Sequence, residues 1–298
     1  MVRNFLSIND VSKEELLMLL DRAAELKLEL KEGGDQSDIL RGKTLGLVFE
    51  KPSLRTRISF EVGMQQLGGS TVVLNASEIQ IFERETRADI SRVMSRYLDG
   101  LMIRTFGHEV LEEATKFSSI PVINGLSDLE HPCQTLADLL TIKEHFGTFK
   151  DLKIAYIGDG NNTVHSLMLA CAKLGINIHV ACPVEYEPKS EFESDFSTVT
   201  HGVGEAAQDA DVVYTDVWSS MGQERDAQRR KKIFHGYQVN KALMTEYAKD
   251  TAIVLHCLPA HRGEEITAEA LENHEETILN QAENRLHTQK ALLEWILK

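Results

Sequence analysis

Three segments of this chain place oxyanion donors where a strand would hand over to a helix. Glu50-Lys51-Pro52-Ser53-Leu54-Arg55-Thr56-Arg57 follows the apolar run Thr44 to Phe49, so two hydroxyls and two arginines stand at a helix mouth. Free backbone N–H groups and the helix dipole favour an anion at such a position. Arginine adds forked donors that match phosphate oxygens. The segment is not a Walker loop, because G-x-x-x-x-G-K-[ST] is absent. Taken alone, the same residues also describe an ordinary helix cap (Ser53) with surface arginines. Ile103-Arg104-Thr105-Phe106 and His131-Pro132-Cys133-Gln134 repeat the pattern. Three donor-rich strand ends together describe a pocket for a highly charged oxyanion.

The second half of the chain offers different chemistry. Gly158-Asp159-Gly160-Asn161-Asn162-Thr163 opens a helix after a strand, as a dinucleotide loop would. The final glycine of G-x-G-x-x-G is replaced by Thr163, and the next strand ends in Ala181-Cys182 with no acid for a ribose hydroxyl. A loop whose asparagines contact a substrate is the better reading. Asp216-Val217-Trp218-Ser219-Ser220-Met221-Gly222 sets a carboxylate beside small polar residues after another strand, suited to a cationic amine or to an ordinary strand-to-loop turn. His256-Cys257-Leu258-Pro259 ends a further strand. Neighbouring strand residues point to opposite faces, so His256 and Cys257 are not expected to ligate one metal, and no metal site is expected elsewhere.

These clusters need a scaffold of strand ends. Ser12 and Glu15 form a capping-box pattern ahead of the helically spaced Leu16, Leu17, Leu19, Leu20 and Ala24. Strands are expected at 44–49, 70–74, 100–103 and 121–124, with helices at 55–67, 85–97 and 110–117 between them. A helix over 132–146 follows, closed by Gly147. The rhythm then restarts with strands at 153–157, 176–181, 212–215 and 252–255, a helix at 163–174 and a terminal helix at 285–297. The expected fold is α/β with two domains, each a parallel β-sheet flanked by helices, divided as 1–147 and 148–298. The C-terminal helix is a candidate to return to the first domain. The basic stretch Gly222 to Tyr237 (Arg225, Arg229, Arg230, Lys231, Lys232) reads equally as a mobile loop or a solvated helix face.

Composition narrows the function classes. The chain has 298 residues, 42% hydrophobic and 26% charged, with Lys+Arg 32 against Asp+Glu 46, a net charge of −14. That balance argues against nucleic acid as a partner, while local arginines can still make a positive pocket. Cys133, Cys171, Cys182 and Cys257 form no C-x-x-C pair, and reduced cytosolic thiols are the default. With no signal-like leader or membrane-length apolar run, a cytoplasmic protein with no membrane partner is expected.

Phe49-x-Lys51-x-Ser53-Leu54-Arg55-Thr56-Arg57, Asn124-Gly125-Leu126, His131-Pro132-Cys133-Gln134, Asp216-x-x-x-Ser220-Met221-Gly222, His256-Cys257-Leu258-Pro259 and Ala282-Glu283-Asn284-Arg285-Leu286-His287 together resemble the ornithine branch of the aspartate/ornithine carbamoyltransferases. The likeness runs in order across essentially the whole chain. Ser-x-Arg-Thr alone would indicate the wider family; the Ser-Met-Gly loop and the His-Cys-Leu-Pro run narrow it. Leu54 departs from the Thr or Gly of many members, which removes a hydroxyl but not a backbone N–H.

The resemblance implies transfer of a carbamoyl group from carbamoyl phosphate to the δ-amine of L-ornithine, giving citrulline and phosphate, within arginine metabolism. It assigns carbamoyl phosphate to Ser53, Leu54, Arg55, Thr56, Gln80, Arg104, His131, Pro132, Cys133, Gln134, Cys257, Leu258 and Arg285. It assigns ornithine to Asn162, Asp216, Ser220 and Met221. Arg104, His131, Asp216 and Cys257 are the implied catalytic residues. Gln80 matches a position that reaches into a neighbouring subunit, which implies a homotrimer with shared sites. Direct transfer needs neither metal nor organic cofactor. The neighbouring reading is a carbamoyltransferase for putrescine or N-acetylornithine, and Asp216 argues against an aspartate acceptor.

Overall fold

The computed structural model describes residues 2–76, 85–220, 222 and 224–298. The chain divides into two compact units, Met1–Leu140 with Asn284–Lys298, and Thr141–Glu283. In the first unit, α1 (Lys13–Lys31) opens with the capping box expected at Ser12 and Glu15. Strand β1 (Thr44–Phe49) leads into α2 (Leu54–Gln66) and then β2 (Ser70–Asn75). Helix α3 (Arg87–Tyr97), β3 (Gly100–Arg104), α4 (Glu109–Phe117) and β4 (Val122–Leu126) follow. All pairings are parallel, in the order β2-β1-β3-β4.

Strands β1 and β3 are buried almost throughout, as a parallel sheet covered on both faces requires. Val48, Leu101, Ile103, Leu111, Ala114 and Val122 form one apolar cluster under α4. Truncating such a residue, Ile103→Ala for instance, costs about 2–5 kcal/mol in transfer and cavity terms.

The second unit carries β5 (Lys153–Ile157), α6 (Asn162–Leu174), β6 (Asn177–Ala181), β7 (Ser197–Thr200) and α7 (Val203–Ala207), following α5 (Pro132–Phe146), which runs in from the first unit. Then come β8 (Val212–Thr215), α8 (Ala227–Ile233), α9 (Lys241–Glu246), β9 (Ile253–His256) and α10 (Ala268–Asn273). The sheet is again wholly parallel, in the order β7-β6-β5-β8-β9. The terminal helix α11 (Glu275–Leu297) starts ten residues before its expected first residue, 285, with Glu275 and Glu276 in its first turn.

The division between units falls at Leu140/Thr141 and Glu283/Asn284, inside α5 and α11. Gly147, read from sequence as the domain border, ends α5 (φ +70°). The last residues, 284–298, cluster with the first unit.

Each sheet reverses its strand order once. Strand β1 has β2 on one side and β3 on the other; β5 has β6 on one side and β8 on the other. In open α/β sheets the crevice beyond the strand C-termini at such a reversal is where ligands bind. The segment after β1 carries Ser53 to Thr56, and Arg104 ends β3. The segments after β5 and β8 carry Asp159 to Thr163 and Asp216.

Candidate active site

In the first unit, Ser53 caps α2 by accepting the Thr56 N–H at 3.3 Å. Thr56 is buried, and its Oγ1 accepts from Arg104 Nη1 at 3.4 Å and Arg285 Nη2 at 3.3 Å. With two guanidinium N–H groups on its lone pairs, the hydroxyl keeps its own hydrogen to donate. Arg285 Nη1 donates to Gln134 Oε1 at 2.7 Å, and Gln134 passes the chain on to Asp138 Oδ1 at 2.8 Å. The Gln289 amide oxygen accepts from Arg285 Nη2 at 2.9 Å and Nε at 3.1 Å. Arg285 is thereby oriented from three sides.

His131, immediately before α5, is buried beside these arginines. Burial, then the charges of Arg285, Arg104 and Arg55, hold its imidazole well below the usual 6.5. It is a neutral ring at pH 7, set among three cations. Cys133 is fully buried, its Sγ toward the Asn124 carbonyl at 3.3 Å, and burial pushes its thiol up to about 12. Only the backbone of Cys133 is thus placed to serve a ligand.

The structure sorts the basic residues of the first motif. Arg55 is half-buried and contributes to the field at His131. Arg57 points outward to Glu61 at 3.3 Å in an exposed pair. Lys51 is buried against Asp128 and lies 4.1 Å from the Phe106 ring centroid. Leu54 is exposed, which suits a position used for its backbone alone. Gln80 and Met221 lie outside the described residues.

In the second unit the central group is Asp216, buried at the end of β8. Its Oδ2 accepts from Asn161 Nδ2 at 2.9 Å and Thr163 Oγ1 at 3.2 Å. Its Oδ1 accepts from the Val217 N–H at 2.8 Å and the Cys257 thiol at 2.9 Å. Asn161, rather than Asn162, turns inward: its Oδ1 caps α6 and accepts from Tyr156 Oη at 3.2 Å. Asn162 and Ser220 are both half-buried on either side of Asp216 in sequence.

Cys257 lies one residue beyond β9, so strand alternation does not govern it. Donor atoms of Asp216, His256 and Cys257 lie within 4.8 Å of one another, which removes the alternation argument against a shared ligand. The nitrogens of His256 are already used. Nδ1 accepts the Leu258 N–H at 2.9 Å, and Nε2 meets Glu265 Oε1 at 3.0 Å, with both side chains fully buried. Leu258 sits at φ +56° and precedes a cis peptide to Pro259. His256 therefore shapes the turn that presents Cys257.

Sequence reasoning missed Glu265, Asp138 and Gln289, which support site residues without sharing a motif with them, and it named Thr163 only as the residue in place of a glycine. Gly160 of the Gly158-x-Gly160 pair has a packing role. A Cβ at Gly160 would stand 2.2 Å from Pro188 N and 2.5 Å from the Tyr186 carbonyl oxygen. The glycine allows a neighbouring backbone to approach, with Gly160 N donating to Tyr186 O at 2.9 Å.

Two family descriptions match the chain: "Aspartate/ornithine carbamoyltransferase, carbamoyl-P binding domain" over residues 3–144, and "Asp/Orn binding domain" of the same family over 150–296. The chain belongs to the aspartate/ornithine carbamoyltransferase family. It is 52% identical over 301 residues to the ornithine carbamoyltransferase of Anoxybacillus flavithermus, covering 98% of this chain and 95% of that one. It is 50% identical over 305 residues to that of Bacillus subtilis, covering 99% and 94%. Among solved structures, ornithine carbamoyltransferase from Pyrococcus furiosus superposes with a TM-score of 0.91 at 47% identity, covering 98% of this chain and 96% of that one. The Thermus thermophilus enzyme gives 0.92 at 41% identity over the full length of both chains.

Proposed function

We propose that the chain is an ornithine carbamoyltransferase: the δ-amine of L-ornithine attacks the carbamoyl carbon of carbamoyl phosphate, giving L-citrulline and phosphate. The observation that carries this is the cationic cluster of buried Arg104 and Arg285 with half-buried Arg55 about a neutral His131, together with the buried carboxylate of Asp216 in the other unit. Ser53, Leu54, Arg55 and Thr56 hold the phosphate at the α2 N-terminus, with Gln80 reaching it from a neighbouring subunit. Arg104, Thr56 and His131 donate to the carbamoyl oxygen as it gains negative charge, and fixed cations stabilise the departing phosphate. Pro132, Cys133 and Gln134 place the start of α5, and Gln134 orients Arg285. A neutral imidazole donates a hydrogen bond without losing its proton to the leaving group, which suits His131 to this role.

Asn162, Asp216, Ser220 and Met221 bind ornithine. A free alkylamine has a pKa of about 10.4, so the nucleophile must lose a proton on the way to attack. Asp216 is the acceptor best placed to orient that amine, and Cys257 tunes it. The Cys257 thiol gives its hydrogen to Asp216, whereas nucleophilic cysteines sit beside cations. Direct transfer therefore fits better than a cysteinyl intermediate. Leu258 fixes the turn that carries Cys257. No step calls for a metal or an organic cofactor.

The chain acts as a homotrimer. Leu54, Ile58 and Val72 are exposed on α2 and on the edge strand β2 of the first sheet. Exposed apolar side chains beside an unpaired strand edge are covered in a stable assembly. Sedimentation should return three times the chain mass of 33.5 kDa. No helix among the described residues is long and apolar enough to cross a membrane, and the enzyme works in the cytoplasm in arginine metabolism.

The test is citrulline formation from carbamoyl phosphate with L-ornithine, and product formation with putrescine, N-acetylornithine and L-aspartate in parallel. Turnover with ornithine alone is expected. Turnover only with another acceptor would keep the carbamoyl phosphate half of the reading and overturn the ornithine half.

A further inference from the structure

We propose that Arg230 is a positioning residue for the amine-substrate site, holding in register the two chain segments that flank Asp216. The inference rests on the assignment of Asp216 to ornithine. The basic run containing Arg230 looks like a solvated face, and its neighbours behave as one. Arg229 pairs with Glu185 and Lys231 with Glu264, both at the surface. Arg230 alone is buried among them. Its Nη2 meets Asp159 Oδ2 at 2.5 Å, and its Nε donates to the Trp218 carbonyl at 2.5 Å. The guanidinium lies 4.5 Å from the Tyr186 ring centroid and 5.1 Å from that of Phe234.

The two partners are informative. Asp159 lies two residues before Asn161, which donates to Asp216. Trp218 lies two residues after Asp216, on the segment that leads to Ser220. One planar group therefore ties the loop after β5 to the loop after β8, at the strand-order reversal of the second sheet. Trp218 is itself pinned by its Nε1 donating to the Tyr237 carbonyl at 3.3 Å. The charge matters as well. Asp159 and Asp216 are close enough to repel, and Arg230 neutralises Asp159 so that Asp216 carries the site's negative charge alone. Lysine would keep the charge but not the rigid fork that serves a carboxylate and a carbonyl together.

Replacing Arg230 alone would strand a buried carboxylate, so the primary variant is Arg230→Met/Asp159→Asn, which removes both charges at similar volume. The expected result is a thermal midpoint close to the parent, an ornithine KM raised roughly tenfold or more, and a carbamoyl phosphate KM within about twofold. Arg230→Lys, which keeps the ion pair, is expected to raise the ornithine KM about fivefold at unchanged midpoint. Asp216→Asn serves as comparator. If Asp216→Asn raises the ornithine KM and both folded Arg230 variants leave it within about twofold of the parent, the proposal is overturned. Equal rises in both KM values would also overturn it, since a general loss of structure does that. An Asp216→Asn variant with unchanged ornithine KM would overturn the site assignment itself, and this inference with it.

Discussion

The two units solve the same topological problem with opposite charge. Each is a parallel sheet whose order reverses once, and each gathers its charged cluster where the two strands end at that reversal. In the first unit those strand ends, with Arg285 from α11, gather guanidinium groups around Thr56 and His131. In the second, a carboxylate gathers an amide, a hydroxyl, a backbone N–H and a thiol. Topology thus sets where the charged groups gather, and residue type at the strand ends sets their sign. Burial sharpens both, since charge in a poorly solvated crevice acts with less screening than at the surface.

The largest expected effect comes from breaking the cationic side. Arg104→Met should lower turnover by about 10²–10³-fold, the loss seen when one donor to a developing oxyanion is removed. Steady-state citrulline assays check it, and a loss below tenfold would take Arg104 out of the transition state. Asp216→Asn comes next: the ornithine KM should rise by roughly 10–100-fold. Cys257→Ser keeps a hydrogen-bond donor on Asp216 and should hold turnover within about tenfold, where a covalent role would abolish it.

Acidification separates the units by sign. His131 is held below its ordinary pKa by burial and by Arg285, Arg104 and Arg55. The unfolded chain then binds that proton first, so its contribution to stability is complete above pH 6.5 and is lost as pH falls below it. Asp159 behaves oppositely. Burial pushes its carboxyl from 3.8 up to about 6 despite Arg230, so its contribution is complete below 3.8 and is lost as pH rises through 6. Urea midpoints between pH 7 and 5 should fall less steeply in His131→Asn and more steeply in Asp159→Asn than in the parent. Identical slopes in all three would contradict both assignments. The smallest effect is expected at Arg57, whose exposed pair with Glu61 contributes about 0–1 kcal/mol. Arg57→Ala should leave turnover within about twofold.

Much of this was legible in the sequence because strand ends are. The apolar runs before Ser53, Arg104, Asp159 and Asp216 are short and bounded, and the donor-rich segments follow each directly. What sequence could not show was which of several like residues turns inward. Asn161 caps α6 and reaches Asp216 while Asn162 begins the helix. Arg55 lends its charge to the field at His131 while Arg57 pairs outward. Arg230 is buried in a run of cations, where Asp159, the Trp218 carbonyl and two aromatic rings receive it. Strand β7 and helices α7, α9 and α10 escaped because they are short, while α8 is the helix that one of the two readings of the 222–237 stretch allowed. In β7 only Thr200 is buried, so no periodicity marks it. The start of α11 escaped for a related reason, its first turns being acidic.

The most direct test of the charge division measures both KM values in both half-site variants. Arg104→Met should raise the carbamoyl phosphate KM and leave the ornithine KM within about threefold, and Asp216→Asn should do the reverse. Either variant raising both KM values to the same extent would contradict the account, because the two substrates would then not be divided between a cationic and an acidic unit.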